Sequence, residues 1–400
     1  MMTAETATAA PIKSLASRLD NLGTESAFEV LARARELERQ GRSIIHLEIG
    51  EPDFDTPAHI VEEAIKALRG GMTHYGPSAG LPETRDAIAR FVSETRGVDV
   101  GPERVVVTPG AKPIMFFTIF ALVDPGDEVI YPNPGFPIYE SVIRFVGAKP
   151  VPVLLREENG FRVDVNELVS KVTDRTKLII INSPQNPTGG ILTREDLRVV
   201  ADIALERGIY VLADEIYSEI VYEGEFQSIL HANPGVLDRV ILLDGMSKTF
   251  AMTGWRLGWG VMPANVAAAV SRLQTNCNSC TASFSQKVIG PALHGPRDEV
   301  RKMCHEFRAR RDLVVSGLNA IPGITCKNPA GAFYVFPNVS SLGMKSKEVE
   351  KGLLEQAGVA ALAGTSFGTG GEGYLRLSYA NSQENLRDGL KRISDWVTSR

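Results

Sequence analysis

The sequence predicts an α/β protein, with a mainly parallel sheet covered by helices on both faces and a smaller α+β unit beside it. Three observations carry this. Short runs that are apolar throughout recur between segments of helical period, as buried parallel strands do. The 400 residues exceed what one core usually organises and suggest roughly two domains. After about residue 299 the alternation stops and a long charged helix leads into a different texture.

In chain order, the Ala/Thr-rich start through about residue 20 reads as a flexible arm. VEEAIKALR and PETRDAIARFVSET are amphipathic at helical period. VVVTPG reads as a buried strand running into a turn, with Pro113 well placed for a helix start. EVIYP, KPVPVLL, KLIIIN, IYVLAD and RVILLD are further strands, so the large unit is expected over 61–299. The helix DEVRKMCHEFRARRDLVVSGLNA, strands at AFYVFP and GYLRLSYA, and helices at SKEVEKGLLEQAG and SQENLRDGLKRISDWVTS form the small unit over 300–400. Residues 21–60 are expected to pack with it, because the large sheet begins only afterwards.

Bulk properties narrow the function. Hydrophobic and charged contents of 44% and 23% are those of an ordinary globular protein. A net charge of −5 offers no basic footprint for nucleic acid. Four cysteines argue for a reducing compartment, and the lone C-x-x-C of Cys277 and Cys280 is too little for a zinc site; it reads as interface packing. The N-terminus lacks the order of a secretion signal, and KPIMFFTIFALVD is short of a membrane span. A cytoplasmic protein without membrane partner or metal is expected.

The chemistry gathers where strands end. In LLDGMSKTFAMTGWRLGW, a polar turn presents Lys248 and then Arg256. Such a lysine can form an imine with an aldehyde cofactor, and such an arginine can clamp a phosphate. Alone, a lysine in a turn is usually just solvated. Asp214 ends a wholly apolar strand, where a carboxylate is costly unless paired, for instance with a protonated pyridine nitrogen. An N-cap for a following helix is the plainer explanation. Tyr217 could reach the ring's phenolic oxygen, or be a half-buried aromatic tip. Asn186 in INSPQNPTGG could donate to the same oxygen, or serve only the turn. The Asn186–Pro187 and Asn133–Pro134 bonds are expected to be cis.

Gly110, Ala111 and Lys112 open a helix whose free N–H groups and dipole suit a phosphate. Phe136 follows a strand and could stack on a planar ring, with a core aromatic as the alternative. Tyr75 lies in a loop before a helix, and Gly50 in a polar stretch that cannot be a core strand. Arg376 interrupts an apolar strand pattern and needs an anion, either a substrate α-carboxylate or an internal Asp or Glu.

In this order, GEPDFDTP, YGPSAGLPE, GAK, NSPQNPTGG, ADEIY, SKTFAMTGWRLGW and YLRLSYANS resemble the class I pyridoxal-phosphate-dependent aminotransferases, in their prokaryotic aspartate-aminotransferase-like branch. The resemblance runs from about residue 14 to about 395. It implies the fold type I architecture, a large α/β/α domain with a mainly parallel seven-stranded sheet plus a smaller split domain. It also implies pyridoxal 5'-phosphate as cofactor, with Lys248 as the imine lysine, Asp214 on the pyridine nitrogen, Tyr217 and Asn186 on the ring oxygen and Phe136 stacked. Gly110, Ala111, Lys112, Ser247 and Arg256 fall around the phosphate, and Tyr75 reaches the phosphate of the other subunit of a homodimer. Gly50, Asn186 and Arg376 fall to the substrate carboxylate, and Lys112 with Asn278 to its side chain.

Three departures from the family pattern stand out. Phe136 replaces the usual Trp or Tyr, Gly245 stands where some members have Ser, and QTNCNSCTASFSQ lacks the arginine that one branch uses to read a dicarboxylate. The implied reaction exchanges an amino group between an L-amino acid and a 2-oxo acid, of aspartate/glutamate type or broad specificity. A carbon–sulfur β-lyase on the same fold and a non-catalytic regulatory binding protein are the alternatives; a dehydrogenase is disfavoured, since no G-x-G-x-x-G follows the first strand.

Overall fold

The computed structural model describes residues 15–400, so most of the expected N-terminal arm lies outside the described residues. Of that arm, Ser17 begins a 3-10 turn through Asn21. The strands, in chain order, are β1 Ile45–His46, β2 Val105–Thr108, β3 Glu128–Asn133, β4 Lys149–Leu154, β5 Thr176–Asn182, β6 Tyr210–Asp214, β7 Val240–Gly245, β8 Gly258–Val261, β9 Tyr334–Val335, β10 Val359–Ala360, β11 Leu362–Ala363 and β12 Leu375–Ser378. Strands β2 to β8 form a seven-stranded sheet in the order β2-β8-β7-β6-β5-β3-β4. Only β8 runs against the others, pairing antiparallel with both β7 and β2.

The apolar runs become strands because both faces of the sheet are covered. Successive side chains on a strand point to opposite faces. Leu178, Ile180, Leu212, Ile241 and Leu243 enter one core, while Ile179, Ile181, Val211, Val240 and Leu242 enter another on the far side. The alternation is therefore invisible as polarity but real as packing.

The sheet's geometry differs from the residue-level expectation at β8. GWGV carries two glycines and gives a weak strand signal. A Cβ at Gly258 would lie 2.3 Å from the Ala111 nitrogen, and one at Gly260 2.7 Å from Ile114. Glycine is needed there so that the helix Lys112–Leu122 can press onto the sheet. The helix expected directly after Asp214 is also absent; residues 216–219 form a turn, and the next helix is Ile229–Ala232. That removes the N-cap explanation of Asp214.

The remaining elements cluster at the C-terminal half of the chain. β1 pairs parallel with β10, and β12 lies between β11 and β9. Residues 45–46 thus join strands from beyond residue 358. The strand expected over AFYVFP is pared to Tyr334–Val335, and SKEVEKGLLEQAG divides into Ser346–Gly352 and a π-helical turn Leu353–Ala357. The Asn133–Pro134 and Asn186–Pro187 bonds are cis, as is Ser183–Pro184. Among the described residues, no helix is long and apolar enough to cross a membrane.

Candidate active site

The C-terminal edge of a parallel sheet is where an open α/β fold leaves a crevice, because every strand delivers its following loop to the same side. Here β2, β3, β5, β6 and β7 deliver Ala111, Phe136, Asn186, Asp214 and Lys248 to one cavity of about 490 Å³. Gly50 from the segment after β1, Tyr334 from β9 and Arg376 from β12 close its other side.

Asp214 and Lys248 occupy the floor. Tyr139 donates to Asp214 Oδ2 at 2.5 Å, and the Ile216 amide to Oδ1 at 3.2 Å. Burial outweighs these bonds and pushes the carboxyl up to about 6. Lys248 Nζ donates to the Gly50 carbonyl at 2.6 Å. Burial, reinforced by the Arg376 and Arg256 charges, brings the ammonium down to about 8. The two shifts have one meaning: a carboxylate short of a cation and an amine ready to be neutral share one cavity.

A second corner is suited to an anion. The helix Lys112–Leu122 begins there with Ala111 as its N-cap; Pro113 has no amide to offer and the Ile114 amide turns back to the Ala111 carbonyl at 3.0 Å, which leaves the Ala111 and Lys112 amides at the helix start for an anion. Arg256 adopts a left-handed backbone with φ of 55°, held by an Nη1 bond to the Thr253 carbonyl at 2.8 Å. Its guanidinium lies against Gly110, whose φ is +89°; a Cβ on Gly110 would sit 2.3 Å from Arg256 Nη2. Ser247 is buried beside Lys248 and lines the same cavity.

The third corner is Arg376. It is wholly buried, and burial lowers its basicity. Nη1 donates to Asn186 Oδ1 at 3.2 Å, Nη2 donates to the Glu48 carbonyl, and Nε has no partner. Among the described residues it makes no ion pair, so the internal Asp or Glu that could have explained it is not there. Its guanidinium lies instead over the Tyr334 ring, 4.5 Å from the centroid. Tyr217 is also fully buried, and its hydroxyl meets that of Tyr334 at 2.8 Å. Gly50 has no side chain because the Tyr334 hydroxyl would lie 2.1 Å from a Cβ there.

The match to known families decides what this geometry belongs to. Residues 42–393 match the model of the aminotransferase class I and II family. The chain belongs to that family. It is an aminotransferase, whose substrates are amino acids and oxo acids, and the family depends on pyridoxal phosphate. The aspartate aminotransferase of Pyrococcus horikoshii is 43% identical, over 91% of this chain and 92% of its own. The aromatic-amino-acid aminotransferase 2 of Thermococcus litoralis is 38% identical, over 95% of this chain and 97% of its own. Among solved structures, the aspartate aminotransferase from Thermus thermophilus with maleate superposes with a TM-score of 0.92, at 38% identity, covering 96% of this chain and 100% of that one.

Most residues singled out in the aminotransferase's sequence meet in the cavity: Gly50, Ala111, Lys112, Phe136, Asn186, Asp214, Tyr217, Ser247, Lys248, Arg256 and Arg376. Gly110 stands just behind Arg256. Tyr75 and Asn278 do not line the cavity of the single chain; Tyr75 is 90% exposed, and Asn278 ends the exposed last turn of the helix Ala264–Asn278. Three further residues were not legible in advance. Tyr139 sits inside a helix, Tyr334 in a two-residue strand, and Glu25 before the helix Ser26–Arg39. Only the tertiary fold turns them toward the site. Glu25 had no motif around it at all.

Proposed function

We propose that this aminotransferase binds pyridoxal 5'-phosphate in the cavity and exchanges amino groups between an L-amino acid and a 2-oxo acid, of aspartate/glutamate type or broad specificity. The observation that carries the reading is Arg376, a fully buried guanidinium without an ion-pair partner among the described residues, in the same cavity as Lys248 and Asp214. An α-carboxylate is the anion it lacks. The fit to the cofactor rests on chemistry at three points: an acceptor short of a cation in Asp214, a neutralisable amine in Lys248, and the Arg256 and helix-start donors for a phosphate.

When bound, pyridoxal phosphate supplies an aldehyde for the amine and an electron sink for charge left on the substrate's Cα. The chain does the rest. Arg376 and Asn186 fix the α-carboxylate, which sets the direction of the Cα–H bond. Lys248 Nζ takes that proton and returns one, which its lowered basicity permits near neutral pH. Asp214 favours a protonated pyridine nitrogen, with Tyr139 keeping the carboxylate oriented. Tyr217 and Asn186 are suited to the ring oxygen, and Phe136 to a ring face. Lys112, Asn278 and the cavity mouth receive the substrate side chain.

Homodimerisation supplies Tyr75 of the partner subunit to the phosphate, which accounts for a tyrosine so exposed in one chain. The expected location is the cytoplasm, and residues 61–299 form the cofactor domain, with 21–60 and 300–400 as the small one. The test is a half-reaction screen. Each amino acid is mixed with the yellow holoenzyme and the loss of its visible band followed, and borohydride should leave the cofactor's mass on the Lys248 peptide. No cofactor mass on that peptide refutes the reading.

A further inference from the structure

The mouth of the cavity holds a contact that the reaction itself does not require. Lys112 Nζ pairs with the carboxylate of Glu25, a residue 87 positions earlier that comes from a different part of the fold. The pair is partly sheltered, with the glutamate side chain 21% exposed and the lysine 46%. Lys112 also lies over the Phe136 ring, 5.4 Å from its centroid. Glu25, Ala27 and Phe28 line the same cavity as Arg376. The field of Glu25 reaches Lys248, Arg376 and Tyr334, so its carboxylate belongs to the electrostatics of the cavity.

We infer that Glu25 is a specificity-determining residue, an internal carboxylate that occupies Lys112 until a substrate's distal carboxylate displaces it. This rests on the reading that Arg376 takes the α-carboxylate in this cavity. One cation then serves two kinds of substrate. With a neutral side chain, the Glu25–Lys112 pair stays closed and the Phe28 and Phe136 rings meet the apolar group. With a dicarboxylate, Lys112 changes partner and Glu25 turns to water. The dicarboxylate therefore binds at the cost of an ion pair the neutral substrate leaves intact, and the two classes are brought closer in affinity. A neutral substrate in an unguarded pocket would instead leave Lys112 uncompensated beside its apolar group.

The test measures binding of non-reacting ligands to the holoenzyme by calorimetry: maleate as the dicarboxylate and 3-phenylpropanoate as the monocarboxylate with a neutral side chain. Glu25→Gln should raise the ratio of maleate affinity to 3-phenylpropanoate affinity by about two- to fivefold, the worth of a partly exposed ion pair. Lys112→Gln should lower that ratio, and Glu25→Gln added to Lys112→Gln should change it no further, because the competitor has nothing left to hold. An unchanged or lowered ratio in Glu25→Gln overturns the inference, as does a gain that persists in the double variant. Failure of both ligands to bind the unaltered holoenzyme, with Arg376→Lys making no difference, overturns the Arg376 reading and this inference with it.

Discussion

Asp214 ends β6 and Asp244 is the next-to-last residue of the neighbouring β7, and both are fully buried carboxyls pushed upward by burial, to about 6 and about 8. They face opposite sides of the sheet. Asp214 is level with Leu243 on β7, so Asp244, one residue on, points the other way. On the cavity face, Asp214 accepts from Tyr139 and sits near Lys248. On the far face, Asp244 accepts from the Gly245 amide and feels Arg96, whose Nε is already paired with Glu215 at 2.9 Å. Burial depth and residue type are alike; only the face differs. A shifted pKa thus marks a functional group only when a cavity stands in front of it.

The largest test of this difference is turnover. Asp214→Asn should slow it by about a thousandfold, the order lost when a preorganised electrostatic partner is removed. Asp244→Asn should slow it less than about tenfold, since the side chain at 244 is mostly uncharged at neutral pH already. Steady-state rates with saturating cofactor decide it, and similar losses in both variants would erase the distinction. Lys248 comes next. In the cofactor-free protein its modification by cyanate should rise with pH about a midpoint near 8, where an ordinary lysine is still far from its own midpoint. A midpoint near 10 would mean that the cavity does not neutralise the amine.

A smaller effect belongs to Tyr139→Phe, which removes the hydroxyl bond to Asp214 Oδ2. Cofactor affinity, read by equilibrium dialysis, should fall by about tenfold, as for a hydrogen bond to a charged group. The last concerns stability against pH. Each aspartate's folded pKa is raised, so the stability it contributes is fully present below about 4 and is lost as pH rises through the folded value. For Asp214 the loss ends near pH 6 and for Asp244 near 8, with a limiting slope of about 1.4 kcal/mol per pH unit for each group. Saturating cofactor should remove the Asp214 share and so halve the slope between about 4 and 6 only, whereas Asp244→Asn should halve the slope there and flatten the curve between about 6 and 8. Denaturant melts at several pH values separate the two.

Much of this was legible because the strands are apolar on both faces and their ends carry polar residues that no core would hold unpaired. Asp214 and Arg376 are conspicuous for that reason: each is a charge in an apolar strand, and each proved to line the cavity. β8 escaped detection because its glycines answer to the helix pressed on it, a demand that strand propensity does not encode. Tyr139 and Tyr334 stand in no motif of their own, and by burial they are core aromatics. Their hydroxyl partners, Asp214 and Tyr217, come from 75 and 117 residues away, beyond any local pattern. Glu25 lies further outside it, since its partner is reached only through the mouth of the folded cavity.

The reversed strand has a kinetic corollary. Because β8 turns back along β7, residues 246–257 leave and rejoin the sheet at one edge, and the loop is closed by the Gly245–Gly258 pair. Lys248 and Arg256 are therefore carried by one short closed loop and not by separate crossovers. Local opening of such a unit is all-or-none over its length. When this loop frays, the amine and the guanidinium leave together, so exchange protection at both should decay with a single rate.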